Sequence, residues 1–279
     1  MIDPETTLFI YEIKKDLPEQ LPETPESLIG VWNEEDFSYV FFSKPEDTYI
    51  DRLCSDFDLA VSSRHEMKYK DWQEGLPDAG LSISGVTFVS SPKLDQAGKY
   101  IILDPSVVFG DGNHPTTRTC VELLIEILQK GQIESVLDLG SGSGILALTA
   151  ARLGSKRIVA VDKNRLAIQV IRENICANNF DEVIAVREGE ARVFIDDDYE
   201  LILANLPFSV LRDLVVLKEA SSKKIWIVSG INPDQSELLK TLFLEQGFVI
   251  TRERITLPWA TFVAANKSFW RELFDETTF

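Results

Sequence analysis

The sequence predicts an α/β protein in which a small α+β unit precedes a doubly wound, largely parallel sheet. Three observations predict it. From residue 135 onward, short β-branched runs alternate with stretches whose apolar residues recur at helical spacing. The last two strand candidates, 248–256 and 261–265, are separated only by Leu257-Pro258-Trp259, so they are expected to pair antiparallel at the end of the sheet. A glycine-rich segment, Asp138-Leu139-Gly140-Ser141-Gly142-Ser143-Gly144, joins the first strand of the alternation to the helix that follows. Strands that alternate with helices pair in parallel, because a parallel crossover needs a connection long enough for a helix, and the helices then cover both faces.

In chain order, residues 1–95 read as an acidic α+β domain. Its strand candidates are Leu8 to Ile13, Tyr39 to Phe42, Leu59 to Ser62 and Val86 to Val89, with helices near Pro25 to Trp32 and Glu46 to Phe57. Residues 96–131 read as a linker loop and helix. Lys99 to Pro105 is extended, a glycine-containing turn follows, and Pro115 disfavours helical geometry at His114 while opening a helix through Val121, Leu124 and Leu128 to Gly131. Residues 132–279 form the third part, with strands at Ser135 to Leu139, Arg157 to Asp162, Val183 to Val186, Leu201 to Ala204 and Ile225 to Val228 before the closing pair. Its helices are Ile145 to Leu153, Arg165 to Asn178 with an apolar stripe of Leu166, Ala167, Val170, Ile171 and Ile175, Val210 to Ala220, and Gln235 to Gln246.

A chain of 279 residues that is 44% hydrophobic and 26% charged can bury the core of one large domain or two smaller ones, which excludes disorder, collagen and miniprotein scaffolds. No apolar run approaches the roughly 18 residues of a membrane span. The opening Met1-Ile2-Asp3-Pro4-Glu5 lacks the basic-then-apolar order of a secretion signal, so a cytoplasmic location is expected. Cys54, Cys120 and Cys176 lie far apart with only two histidines in the chain, so no metal site and no disulfide framework is expected. Residues 1–95 carry 8 Lys/Arg against 20 Asp/Glu, a net of −12 out of −17 for the whole chain. Such a front part repels nucleic-acid phosphates and anionic membranes and attracts a basic partner, although the same excess also serves solubility alone.

The glycine segment carries the sharpest chemistry. Gly140, Gly142 and Gly144, with Ser141 between them, allow a tight turn and close approach of backbone to a ligand at the carboxyl edge of the sheet. Eighteen residues past Gly144, Asp162 ends the second strand, where a carboxylate can accept both hydroxyls of a ribose. Both a nicotinamide dinucleotide and S-adenosylmethionine could use such a loop. Asp138 favours the second, because a carboxylate suits the ammonium of a methionine tail and repels a pyrophosphate, and Ile145 stands where dinucleotide spacing requires glycine.

At the end of the fourth strand stands Asn205-Leu206-Pro207-Phe208. The Asn205 side-chain oxygen and the Leu206 carbonyl can accept hydrogen bonds from an amine, and the Phe208 ring can face a cationic methyl group. The tetrapeptide resembles the Asn/Asp-Pro-Pro-Tyr/Phe motif of methyltransferases acting on nitrogen, with Leu206 at the first proline. Residues Leu103 to Thr117 in turn resemble the Asp-Pro-Gly-x-x-Phe-Gly-Thr-Gly-x-His-Pro-Thr-Thr signature of the ribosomal protein L-eleven methyltransferase family, with Ser106 replacing a glycine and Asp111 a threonine. The likeness covers about residues 99 to 266, and in the front domain Trp72 anchors it.

That resemblance implies a Rossmann-like methyltransferase sheet and S-adenosylmethionine as cofactor. The donor would be held by Phe109, Gly110, Thr117, Asp138, Gly140, Ser141, Gly142, Gly144, Asp162, Lys163, Glu190 and Asn205. Asn205, Leu206 and Phe208 would serve catalysis, and His114 would cap a helix. The implied reaction methylates amino groups, on a lysine side chain or an N-terminus, of a basic protein such as a ribosomal protein. Other acceptors (another protein or a small amine), a nucleoside-binding module without turnover, and a nicotinamide oxidoreductase are the competing readings. The acid run Asp196-Asp197-Asp198 reads as a solvated turn.

Overall fold

A computed structural model describes residues 3, 5–14, 17, 21–33, 37–72, 76–77, 79–91, 100–195 and 198–274. Lys99, Asp196 and Asp197 therefore lie outside the described residues.

The front part is a four-stranded sheet of order β2-β3-β1-β4, antiparallel throughout, built from β1 (Thr7–Lys14), β2 (Leu28–Asn33), β3 (Phe37–Phe42) and β4 (Ala60–Lys68). Helix α1 (Asp47–Phe57) covers one face, burying Tyr49, Ile50 and Leu53 against Tyr11, Ile13, Val40 and Phe42. Period-2 alternation assigns the two faces, since Leu8 and Ile10 turn the other way. The helix expected near Pro25 to Trp32 is instead the strand β2. Ile29, Val31 and Trp32 are β-branched or aromatic and suit a pleated surface. Gly30 lets that strand approach the back part, since a Cβ there would lie 2.5 Å from Leu166 Cδ2.

Helix α2 (Tyr69–Trp72) follows β4, and β5 (Leu81–Ile83), β6 (Val86–Val89) and β7 (Tyr100–Ile102) make a three-stranded sheet. Because β7 pairs with β6, this sheet spans the expected junction between residues 95 and 96. Helix α3 (Pro115–Lys130) has Pro115 in its first turn and His114 as its N-cap, as the sequence predicts.

The back part is a seven-stranded sheet of order β10-β9-β8-β11-β12-β14-β13. Its strands are β8 (Ser135–Leu139), β9 (Arg157–Asp162), β10 (Ile184–Glu188), β11 (Leu201–Asn205), β12 (Ile225–Ile231), β13 (Phe248–Thr256) and β14 (Trp259–Asn266). The first five pair in parallel and the closing two antiparallel, with β14 inserted between β12 and β13. On one face α3, α4 (Ile145–Arg152) and α5 (Arg165–Asn178) bury a core with Val136, Leu203 and Ile227. On the other, α6 (Ala191–Phe194), α7 (Phe208–Val215) and α8 (Pro233–Glu245) pack on Leu137, Ile202 and Trp226. The helix expected to reach Ala220 ends at Val215 and continues as a 3-10 turn over Lys218–Ser222. An additional helix, α9 (Lys267–Phe274), buries Trp270 in the first core. None of the described helices is long and apolar enough to cross a membrane.

Candidate active site

Parallel strands bring their carboxyl ends to one edge. Register pairs Leu139 with Val161, Ala204 with Leu139, Glu188 with Asp162 and Asn205 with Ser229, so the glycine loop, Asp162 and Asn205 share that edge although they are far apart in sequence.

The glycine loop is tied to its neighbours before any ligand is considered. Gly140 N–H and Ser141 N–H both donate to the Val161 carbonyl, at 2.8 and 3.0 Å. Gly142 N–H donates to Asp162 Oδ2 at 3.0 Å, and Asn164 N–H to Asp162 Oδ1 at 2.9 Å. The carboxylate, which the Lys163 N–H also approaches, keeps acceptor capacity for a ribose hydroxyl. Burial pushes the Asp162 carboxyl above its usual range, against the Asn164 and Gly142 N–H bonds. Ser141 Oγ lies 2.9 Å from the Asp138 carbonyl and also within reach of the carboxyl of the same residue. Asp138 is 1% exposed and its Oδ2 accepts from Ala147 N–H at 3.2 Å in the first turn of α4, whose own N-cap, Gly144, has no side chain to do so. Burial, first of all, pushes the Asp138 carboxyl up to about 7, with the Ser141 and Ala147 hydrogen bonds opposing and the Asp162 charge adding.

Two of the glycines also face neighbouring loops. A Cβ on Gly142, at φ +55°, would lie 2.4 Å from the Phe109 carbonyl oxygen, and one on Gly140 would lie 2.3 Å from Leu206 Cδ2. Loops 103–114 and 140–144 therefore meet at Gly142 with no room for a side chain between them, and at Gly140 the Leu206 side chain would have to move to admit one. Ser143 completes the join, its N–H donating to the Phe109 carbonyl at 2.9 Å and its Oγ to the Gly110 carbonyl at 2.6 Å.

Asn205 Nδ2 donates to Thr116 Oγ1 at 3.2 Å, and Thr116 Oγ1 lies 2.8 Å from His114 Nδ1. Since Thr116 N–H also donates to Nδ1, that atom is an acceptor and the proton of the neutral ring is assigned to Nε2. Burial lowers the His114 imidazole below its usual range, with Asp111 opposing. The ring stands edge-on between Phe109 and Trp259, with centroids 5.0 and 5.2 Å away. Trp259, at the start of β14, escaped the sequence reading, its only signal being its position in the turn Leu257-Pro258-Trp259. Phe208 opens α7 and is partly buried, packing with Leu206 against the second core, and the Phe109–His114–Trp259 row is joined to Asn205 through Thr116. Leu206 N–H donates to the Ser229 carbonyl at 3.1 Å, and Gly230 leaves space that the Leu206 carbonyl fills.

The remaining predicted residues lie around the same edge. Thr117 Oγ1 is a buried hydroxyl without a hydrogen-bond partner. Lys163 and Glu190 are exposed at the rim, and Glu188 is engaged by Arg165 at 2.8 Å. Asn164, which the sequence reading passed over, caps α5 through Oδ1 and keeps a buried Nδ2 without a partner next to Asp162.

Comparison with known proteins bears on this edge. The family model for ribosomal protein L11 methyltransferase (PrmA) matches residues 57–267, more than half of the chain. The chain belongs to the ribosomal protein L11 methyltransferase family. Among relatives so named, that of Dictyoglomus thermophilum is 33% identical over 172 residues (60% of this chain, 55% of the relative). The Desulforamulus reducens protein is 34% identical over 166 residues (58% and 52%). The chain thus spans about half the length of the relatives it matches. A solved ribosomal protein L11 methylase from Lactobacillus delbrueckii subsp. bulgaricus superposes with a TM-score of 0.56 at 27% identity, covering 66% of this chain and 96% of that one.

S-adenosylmethionine is the cofactor of the L11 methyltransferase family, and the residues present fit it. Asp138 and Asp162 are buried carboxylates at one sheet edge, suited to an ammonium and to ribose hydroxyls, Asn164 Nδ2 is a buried partnerless polar atom two residues from Asp162, and Thr117 Oγ1 is another in the first turn of α3.

Proposed function

We propose that the chain is an S-adenosylmethionine-dependent N-methyltransferase whose acceptors are amino groups, on a lysine side chain or an N-terminus, of a basic protein, with a ribosomal protein as the acceptor class. The observation that carries the reading is the orientation of Asn205. With Nδ2 committed to Thr116, Oδ1 is the atom left to accept an N–H, on the sheet edge that holds the two buried acids. When bound, the cofactor supplies an electrophilic methyl on a sulfonium. The chain's residues do the rest by position: Asn205 Oδ1 and the Leu206 carbonyl hold the amine so that its lone pair is directed, and the Phe109–His114–Trp259 row shields the line of transfer from water. No covalent intermediate on the protein is needed, and alignment alone supplies a large rate factor. A lysine amine, near pKa ~10.4 in water, is presented unprotonated if burial beside a positive charge lowers that value. The acidic front domain recruits the basic partner, and the reaction belongs in the cytoplasm.

Asn205→Ala is expected to leave binding of S-adenosylhomocysteine, followed by calorimetry, near wild type and to lower transfer of labelled methyl by about a hundredfold. Unchanged transfer would remove Asn205 from its role.

A further inference from the structure

We propose that the front domain sets the donor site through α2, Tyr69 and Trp72 being positioning residues that hold the carbonyls of Ser106 and Val107. The proposal rests on the reading of the sheet edge as a nucleoside site.

Four features carry it. Tyr69 Oη donates to the Ser106 carbonyl at 2.5 Å, and Trp72 Nε1 to the Val107 carbonyl at 3.3 Å, while the Trp72 ring packs edge-on against Phe41 of β3 with centroids 5.0 Å apart. Ser106 sits at φ +48°, a left-handed conformation that costs a non-glycine residue stability, and its N–H is held by Asp104 Oδ1 at 2.9 Å. The strained position is thus fixed from both sides, from the front domain through its carbonyl and locally through its amide. Val107 and Val108 share one buried cluster with Leu8, Ile10 and Phe41 of the front sheet and Leu166, Ala167 and Val170 of α5. Directly beyond them, the Phe109 and Gly110 carbonyls receive the two hydrogen bonds of Ser143. A strap of five residues, 106–110, therefore runs from the front sheet to the glycine loop, with a hydrogen bond or a buried side chain at each position. Burial, and then Asp104 and Asp111, keep the Tyr69 hydroxyl protonated, so it remains a donor across the working pH range.

Calorimetry with S-adenosylhomocysteine on the full chain, together with hydrogen exchange of amides 104–112, tests the strap. Tyr69→Phe removes the donor hydroxyl and keeps the ring, and Trp72→Phe removes the indole N–H while leaving a smaller aromatic ring against Phe41; each should weaken binding by about five- to tenfold and speed exchange in that segment. Tyr11→Phe is the control. It removes a hydroxyl that accepts from Glu46 N–H at 3.0 Å on the opposite face of the front sheet, and should leave affinity within about twofold. If both variants bind like wild type with unchanged exchange, or if Tyr11→Phe weakens binding as much as they do, the positioning role is overturned and the nucleoside site stands. Absence of heat from the wild-type chain would instead overturn the nucleoside reading itself. Should Tyr69→Phe fail to fold, Trp72→Phe carries the comparison alone.

Discussion

At Gly142 the chain has no side chain because the Phe109 carbonyl occupies the space where one would stand. Gly142→Val should therefore abolish nucleoside binding and also lower stability, by at least the ~1–2 kcal/mol of a left-handed β-branched residue, measured by urea unfolding. Binding loss with unchanged stability would mean that the glycine serves the ligand alone. The motif was legible as a glycine loop between a strand and a helix, but the atom that requires glycine lies thirty-three positions upstream, which no local pattern reports. Asp138 is similar. Its type and place were legible, whereas its burial and its bond to Ala147 follow only from the packing of α4. With the carboxyl pushed up to about 7 in the free chain, a bound ammonium favours its ionised form. Nucleoside affinity should accordingly be fully expressed above about pH 7 and fall by up to tenfold per unit as pH drops below it, while Asp138→Asn should flatten the profile. A flat wild-type profile between pH 5.5 and 7.5 would place the cation elsewhere.

Among the elements, helix α5 shows what periodicity captures and what it misses. Leu166, Ala167, Val170, Ile171 and Ile175 form the expected stripe, yet the residues that fasten the cofactor loop are two asparagines one turn apart on the same helix. Asn174 is buried and accepts from Asp104 N–H at 2.8 Å while donating to the Asp104 and Ser143 carbonyls, both at 2.9 Å; Asn178 does the same for Ile102. Together they give segment 102–104 the backbone partners that a neighbouring strand would otherwise supply. Asn174→Ala leaves three backbone groups unpaired and should cost about 2–3 kcal/mol in urea unfolding, with nucleoside affinity reduced in parallel. A loss under about 0.5 kcal/mol would show that the loop is held by its apolar contacts. These partners lie 31 to 76 residues apart in sequence, so nothing in the local sequence announces them. The misread segment 25–32 has the opposite cause: Pro25, Glu26 and Ser27 resemble a helix start, and the pairing of β2 with β3 overrides that local signal.

For the molecule as a whole, five helix-separated strands and a helix-free antiparallel pair were legible from residue 135 onward, whereas the order β10-β9-β8-β11-β12-β14-β13, with β14 inserted beside β12, is set by long-range pairing that no local pattern carries. The front sheet was only partly legible. Its short strands are separated by acidic, proline-containing segments, and its inner face is defined by contact with α5 and the 106–110 strap rather than by its own pattern. Its charge has a consequence of its own. Transfer to a basic acceptor should show a KM that rises with ionic strength between low and physiological salt, while nucleoside affinity stays nearly constant, because exposed charges are screened and the buried acids are not. The proposed reaction is methyl transfer from S-adenosylmethionine to amino groups at the Asn205 edge. Mass spectrometry of a basic ribosomal protein fraction incubated with the full chain and labelled donor tests it most directly. Label on lysine or N-terminal amines, lost with Asn205→Ala, is the predicted result; label confined to other atoms, or no transfer by a chain that binds the nucleoside, would contradict it.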